Sequence, residues 1–126
     1  MSLHVTEAVE NYLEAILMLG KDQGEVRATD ICAHMGYSRP TVSIAVKGMK
    51  ANGLILVDDH NIITLTEDGT RIAESIYERH TLVAKALMVL GVDEETALED
   101  ACKIEHDISE KTFHCLKKFM REHMLG

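Results

Sequence analysis

The side chains best suited to chemistry in this sequence form a short cluster near its C-terminal end, at Cys102, Glu105 and His106. A thiol, a carboxylate and an imidazole stand there at positions i, i+3 and i+4. If the segment is helical, all three project from one face, about one turn apart. They are three of the side-chain types that bind divalent transition metals, so the spacing points to a metal site.

Three more residues are candidates to join this cluster. Asn11 and Glu14 lie at i and i+3 on the first predicted helix, and His80 lies on a long predicted helix. Taken singly, Glu14 is more typical of a solvated helix carboxylate, His80 of a surface histidine, and Cys102 of a small core residue. Spacing alone therefore leaves both a metal site and an ordinary structural interpretation open.

The composition is typical of a soluble globular protein, at 46% hydrophobic and 27% charged residues in a chain of 126. Apolar runs are too short for a membrane span and no secretory leader is recognised, so a cytoplasmic location without membrane partners is expected. The three cysteines Cys32, Cys102 and Cys115 lack CxxC spacing and are expected to be reduced thiols.

The net charge of −8 argues against nucleic-acid binding, but the charge is unevenly distributed. Residues 31–57 include no Asp or Glu, whereas Arg39, Lys47 and Lys50 lie among them. Such a segment can contact phosphates, although weakly in a monomer, and a dimer would double the contact.

The N-terminal part of the chain is predicted to begin with two helices. An amphipathic helix over residues 6–19 is expected to start at the N-cap Thr6 and to stop at Gly20. A short helix over residues 28–35 is expected to follow and to end at Gly36.

A third helix, predicted from the N-cap Ser38 to Gly53, completes a helix-turn-helix. Its apolar residues are Val42, Ile44, Val46 and Met49. Two strands over residues 54–57 and 62–65 are expected to form a hairpin. This order of elements predicts a winged helix rather than a three-helix unit with an incidental hairpin.

Three further helices are predicted: a long one over residues 66–90, a second over 94–106 capped by Asp93, and a last one capped by Ser109. The apolar side of the long helix is expected to consist of Ile72, Ile76, Leu82, Val83, Leu87 and Leu90. Apolar faces this wide indicate dimerisation. The predicted fold is therefore mainly α, with a DNA-binding winged helix-turn-helix over residues 1–65 and a helical dimerisation domain over 66–126.

Four stretches carry a more specific signal. They are Glu10-Asn11-Tyr12-Leu13-Glu14, Ser38-Arg39-Pro40-Thr41-Val42-Ser43, Glu78-Arg79-His80, and Asp100-Ala101-Cys102-Lys103-Ile104-Glu105-His106-Asp107-Ile108-Ser109. Together they resemble the diphtheria toxin repressor family, which includes iron-dependent repressors and the manganese transport regulator. The resemblance extends over almost the whole chain, and the Ala-Cys-x-x-Glu-His run is typical of the iron-responsive branch.

The resemblance implies a set of metal ligands: Asn11, Glu14, His80, Cys102, Glu105 and His106. Glu14 matches a carboxylate of manganese-type members, whereas Asn11 stands where the family has Asp or Met. An amide oxygen can still bind a hard divalent ion. Ala84 and Leu98 stand where the iron-type branch has ligands of a second site, so that site is expected to be incomplete. The SH3-like domain of larger members is expected to be absent.

The resemblance further implies a metal-dependent transcriptional regulator, expected to be a repressor that binds palindromic operator DNA as a homodimer. The expected cofactor is Fe(II) or Mn(II), with Co(II), Ni(II) or Zn(II) accepted in vitro. A metal held by ligands from both domains would set the spacing of the two recognition helices, about 34 Å. The residues expected to contact DNA are Ser38, Arg39, Pro40, Thr41, Ser43, Lys47 and Lys50.

Three alternatives stay open at this level. Cys102 beside His106 could act as a redox switch in a winged-helix regulator, because the imidazole could lower the pKa of the thiol. A metal-dependent hydrolase is disfavoured, since no HExxH motif, nucleophile triad or glycine-rich phosphate loop is present, and no small organic substrate is expected. A pure interaction module is disfavoured by the acid-free segment over residues 31–57.

Overall fold

The computed structural model describes residues 5–123, which form six helices and a two-stranded sheet and confirm the predicted fold class. The elements are α1 (Glu7–Gln23), α2 (Ala28–Met35), α3 (Arg39–Ala51), β1 (Ile55–Val57), β2 (Ile63–Leu65), α4 (Glu67–Val89), α5 (Glu94–Ile104) and α6 (Glu110–His123). The chain divides into two compact units, one up to Glu74 and one from Ser75. Among the described residues, no helix combines the length and apolar character needed to cross a membrane.

The first unit contains the predicted helix-turn-helix, made of α2 and α3. The turn between them begins at Gly36, whose φ of 72° and ψ of 27° are left-handed, a conformation that glycine adopts without steric penalty. The predicted cap of α3 is confirmed, since the Oγ of Ser38 accepts a hydrogen bond from the Thr41 N–H at 3.3 Å. Pro40 lies in the first turn of α3, where it forfeits no helical hydrogen bond.

The predicted hairpin is confirmed as an antiparallel pair of β1 and β2. A third piece of chain joins it, because the Ile63 N–H donates to the carbonyl of Val26 at 2.7 Å. Asp58 closes the turn, accepting hydrogen bonds from the N–H groups of His60 at 2.8 Å and Ile62 at 2.9 Å. These bonds, with Ile62 contributing most, hold the pKa of the Asp58 carboxyl below its ordinary value.

The hydrophobic core of the first unit draws on every one of its elements. Its buried residues are Tyr12, Leu13, Ile16, Val26, Ile31, Val42, Met49, Leu54, Ile55, Ile63 and Ala73. Ile44, one of the apolar residues of α3, is not part of this core and is 73% exposed. The helix turns by about 100° per residue, so Ile44 points away from the side that buries Val42 and Met49.

The predicted end of α1 is wrong, because the helix continues through Gly20 to Gln23. It stops at Gly24, whose φ is 88° and whose N–H donates to the carbonyl of Gly20. A glycine inside a helix costs only about 1 kcal/mol relative to alanine. That cost is too small to end a helix whose other side is packed on a core.

The second unit begins within α4. As predicted, α4 ends just before Gly91, whose φ is 105°. Leu90, the last residue of the predicted apolar side, lies just beyond the end of α4 and is 79% exposed. The predicted caps are confirmed at Asp93, which accepts from the Thr96 N–H at 3.0 Å, and at Ser109, which accepts from the Thr112 N–H at 3.1 Å. The small core of this unit consists of the buried residues Val83, Ala84 and Ala101. The partly buried residues packed against it are Leu87, Met88, Ile104, Ile108 and Leu116.

Two glycine substitutions test this packing. Gly69→Ala is expected to lower the free energy of unfolding by about 1–3 kcal/mol, because the added Cβ would run into the carbonyl oxygen of Leu54. Gly20→Ala is expected to raise it by about 0.5–1 kcal/mol, because nothing lies within 4 Å of its added Cβ. Urea denaturation followed by circular dichroism measures both, and equal effects at the two positions would contradict the packing described.

Candidate metal centre and DNA-binding surface

Four of the predicted metal ligands lie in the second unit, at the end of α5 and on α4. The helix α5 ends at Ile104, so the expectation that it extends to His106 is wrong. The chain tightens into a turn there, with the Asp107 N–H donating to the carbonyl of Ile104 at 2.9 Å. Glu105 nevertheless keeps helical angles, φ −57° and ψ −26°, so its side chain still follows the spacing set by Cys102.

Glu105 is a charged side chain in the interior, only 1% exposed. Its Oε2 lies 2.9 Å from Nδ1 of His80, and its Oε1 lies 3.4 Å from Nε2 of His106. Burying a carboxylate costs several kcal/mol unless polar or charged partners compensate. The two imidazoles supply such partners, one for each carboxylate oxygen.

The fourth side chain, Cys102, adds a sulfur to the same place. Its Sγ lies 3.7 Å from Nδ1 of His80, the atom that also faces Glu105. Donor atoms held by one transition-metal ion, at bond lengths of about 2.1 Å for nitrogen or oxygen and 2.3 Å for sulfur, lie about 3.0–3.6 Å apart. The observed separations of 2.9 and 3.7 Å are close to these values. By chemistry and spacing, the donor set fits a divalent transition metal.

Arg79, next to His80 on α4, holds the turn that carries two of these side chains. Its Nη1 donates to the carbonyl oxygens of Glu105 at 3.1 Å and Ile108 at 3.0 Å. The Arg79 side chain is 11% exposed, and its guanidinium carbon lies 5.2 Å from the centre of the Phe113 ring. Arg79 belongs to one of the motifs named above, but its role could not be predicted, because nothing in the sequence shows which carbonyls an arginine reaches.

Asn11 and Glu14 belong to the first unit, where they lie one turn apart on α1 and are both half-buried. Tyr12 between them is buried and meets the ring of Tyr37 edge-on, with ring centres 5.9 Å apart. Burial, and to a lesser extent Tyr37 and Cys32, raises the pKa of the Tyr12 hydroxyl. The role of Asn11 and Glu14 as ligands stays a prediction.

All seven residues predicted to contact DNA lie on the exposed surface of α3 or at its N-cap: Ser38, Arg39, Pro40, Thr41, Ser43, Lys47 and Lys50. The first turn of α3 contains no acidic residue. Hydroxyl groups and cations are thus presented together on the second helix of a helix-turn-helix, the helix that enters the major groove in this motif. Their contacts with DNA stay a prediction.

A winged helix-turn-helix combined with a cluster of metal-binding side chains defines a metal-dependent transcriptional regulator, and sequence comparison supports that class. The profile of "Iron dependent repressor, N-terminal DNA binding domain" matches residues 4–61. The profile of "Iron dependent repressor, metal binding and dimerisation domain" matches residues 66–124. The chain belongs to this family of repressors, whose cofactors are divalent metals.

Individual relatives agree with this assignment. The transcriptional regulator MntR of Escherichia coli O157:H7 is 37% identical over 120 residues, which are 95% of this chain and 77% of the relative. The HTH-type transcriptional regulator MJ0568 of Methanocaldococcus jannaschii is 31% identical over 94% of this chain and 96% of its own length. The solved structure of the manganese regulator SloR superposes with a TM-score of 0.79 at 31% identity, covering 90% of this chain. The chain spans about half of that structure, 53%.

The role of Arg79 is testable by removing its charge. Arg79→Met is expected to lower the free energy of unfolding of the metal-free protein by about 2 kcal/mol or more, because two carbonyls lose a charged donor. Urea denaturation in the presence of a chelator measures the change. The matched control is Arg71→Met on the same helix, whose exposed ion pair with Asp68 contributes about 1 kcal/mol at most. Equal losses in the two variants would show that Arg79 does not hold the turn.

Proposed function

We propose that this protein is a homodimeric repressor that binds operator DNA when Fe(II) or Mn(II) is bound to it. The proposed ligands are Asn11, Glu14, His80, Cys102, Glu105 and His106. The observation that carries the proposal is the buried carboxylate of Glu105, which faces an imidazole with each oxygen and lies beside a thiol. We also infer a cytoplasmic location and no catalytic activity, because the family consists of transcriptional regulators.

In this proposal the ligands come from two predicted domains. Asn11 and Glu14 precede the helix-turn-helix, whereas the other four follow the hairpin. When bound, a divalent metal supplies strong bonds to side chains of both groups. Ligation of one metal by both groups would restrict the positions of the recognition helices. Coupling of this kind between metal binding and DNA binding is typically worth about 1–3 kcal/mol, or about 5- to 150-fold in DNA affinity.

The proposed dimer is supported by apolar side chains on the surface of the second unit. Val89, Leu90, Leu98 and Phe119 are all exposed large hydrophobic residues. Exposed apolar groups of this kind mark protein interfaces when they form a patch. The family profile that matches this part of the chain is described as a dimerisation domain.

The sharpest test of the metal site is Glu105→Gln, which keeps the shape of the side chain but removes its charge. Wild-type protein is expected to bind operator about 5- to 150-fold more tightly with Fe(II), Mn(II) or Co(II) than with chelator, and the variant to lose that difference. Operator affinity is measured under anaerobic conditions by fluorescence anisotropy, using duplexes selected from a random pool.

Two cysteine variants separate a metal sensor from a redox switch in the same assay. If metal is the signal, Cys102→Ser weakens the effect of metal on operator affinity. The control is Cys115→Ser, which replaces an exposed cysteine of α6 and leaves that effect unchanged. A thiol switch would instead respond to oxidant, lose that response in Cys102→Ser and keep it in Glu105→Gln. Equal affinity of the wild-type protein with metal and with chelator would rule out the proposed function.

The choice of metal depends on the thiol. Sulfur favours softer ions such as Fe(II), Co(II) and Zn(II), whereas carboxylate and amide oxygens favour Mn(II). Cys102→Glu is therefore expected to lower the affinity for Co(II) and Zn(II) about tenfold or more relative to that for Mn(II). Anaerobic competition against a chromophoric chelator measures the three affinities. Unchanged ratios of the Co(II) and Zn(II) affinities to the Mn(II) affinity would exclude Cys102 from the ligand set.

A further inference from the structure

An apolar side chain occupies the middle of the exposed face of α3. Ile44 is 73% exposed, although isoleucine is among the residues most often buried in globular proteins. Ser43 precedes it in the sequence, and Lys47 follows one turn later. Ile44 contributes little to the core from this position, so its presence is not explained by the folding of this unit.

The position of Ile44 on the helix is well defined. At about 100° per residue, Pro40 and Gly48 lie about 40° to either side of it, one turn before and one turn after. The buried residues Val42 and Met49 are on the opposite side of α3. Ile44 therefore projects almost directly away from the core, in the centre of a strip of small and apolar groups.

Gly48 is a second, independent indication that this face of α3 contacts another molecule. A glycine in the interior of a helix costs about 1 kcal/mol relative to alanine. Within residues 5–123, a Cβ added at Gly48 would meet nothing within 4 Å, so the packing of the chain does not require a glycine there. A missing side chain on an exposed helix face allows something outside the molecule to approach the backbone closely.

The charge around this strip indicates what approaches. Arg39, Lys47 and Lys50 are exposed on α3, and no Asp or Glu occurs between Ile31 and Val57. This helix face is cationic although the protein as a whole has a net charge of −8, so it is suited to binding a polyanion. An apolar centre within cationic edges matches the major groove, where phosphates line the sides and thymine methyl groups are the apolar feature of the floor.

We propose that Ile44 determines operator specificity by packing against the 5-methyl groups of thymines in the major groove, with Gly48 allowing the helix to approach. The proposal rests on the DNA binding proposed above. Isoleucine has no hydrogen-bonding group with which to read the other base edges, so its contribution is selectivity for thymine at one or two positions of each half-site. The cations and hydroxyls of α3 contact the phosphates.

The test uses the full chain, loaded with Mn(II), and a duplex selected by it from a random pool. Each thymine of that duplex is replaced in turn by deoxyuridine, which removes only the methyl group. Wild-type protein is expected to lose about three- to fourfold in affinity at one or two positions, the value for one buried methyl. Ile44→Ala is expected to bind the thymine and uracil duplexes equally at those positions, with an unchanged circular dichroism spectrum.

Gly48→Ala provides the second variant. It is expected to bind the selected duplex more weakly while its thermal stability is equal to or higher than that of wild type, whereas Gly20→Ala leaves DNA affinity unchanged. If replacing thymine by deoxyuridine weakens binding equally in wild type and in Ile44→Ala, the proposed role of Ile44 is overturned, whereas the proposed DNA binding is not. Failure of wild-type protein to select any duplex would overturn the proposed function and this inference with it.

Discussion

A carboxylate that is 1% exposed needs partners, and the partners of Glu105 shape the second unit. His80 on α4 and His106 in the turn each face one of its oxygens. Arg79 then fixes that turn through the carbonyls of Glu105 and Ile108. The end of α5, the following turn and the middle of α4 are thus arranged around one buried charge. The same arrangement brings nitrogen, oxygen and sulfur donors to within a few ångströms of each other.

The first unit meets a different requirement, which is to fold stably while presenting a surface that can face DNA. The helix α3 contributes to that stability with one side only, where Val42 and Met49 join the core. The other side carries hydroxyls, cations and the exposed Ile44, none of which the core needs. Asp58 has a structural role in this unit, because its carboxylate closes the hairpin turn.

Interactions between near neighbours in the chain could be predicted from the sequence. Thr6, Ser38, Asp93 and Ser109 each cap a helix by accepting from an N–H three residues later, and all four were predicted as caps. The hairpin and the helix-turn-helix depend on similar local signals. The spacing of Cys102 and Glu105 could be interpreted for the same reason, because helical periodicity relates residues within one turn.

Contacts between residues far apart in the chain were decided only by the tertiary structure. The sequence could not show that Arg79 reaches carbonyls 26 and 29 residues away, nor that His80 meets Glu105 rather than solvent. Nor could the sequence show which apolar side chains stay exposed, as Ile44 and Leu90 do. The sequence alone determined the fold class, the caps and the types of side chain available for metal and DNA. The tertiary structure decided which of them meet, because a side chain's surroundings depend on elements that its local pattern does not describe.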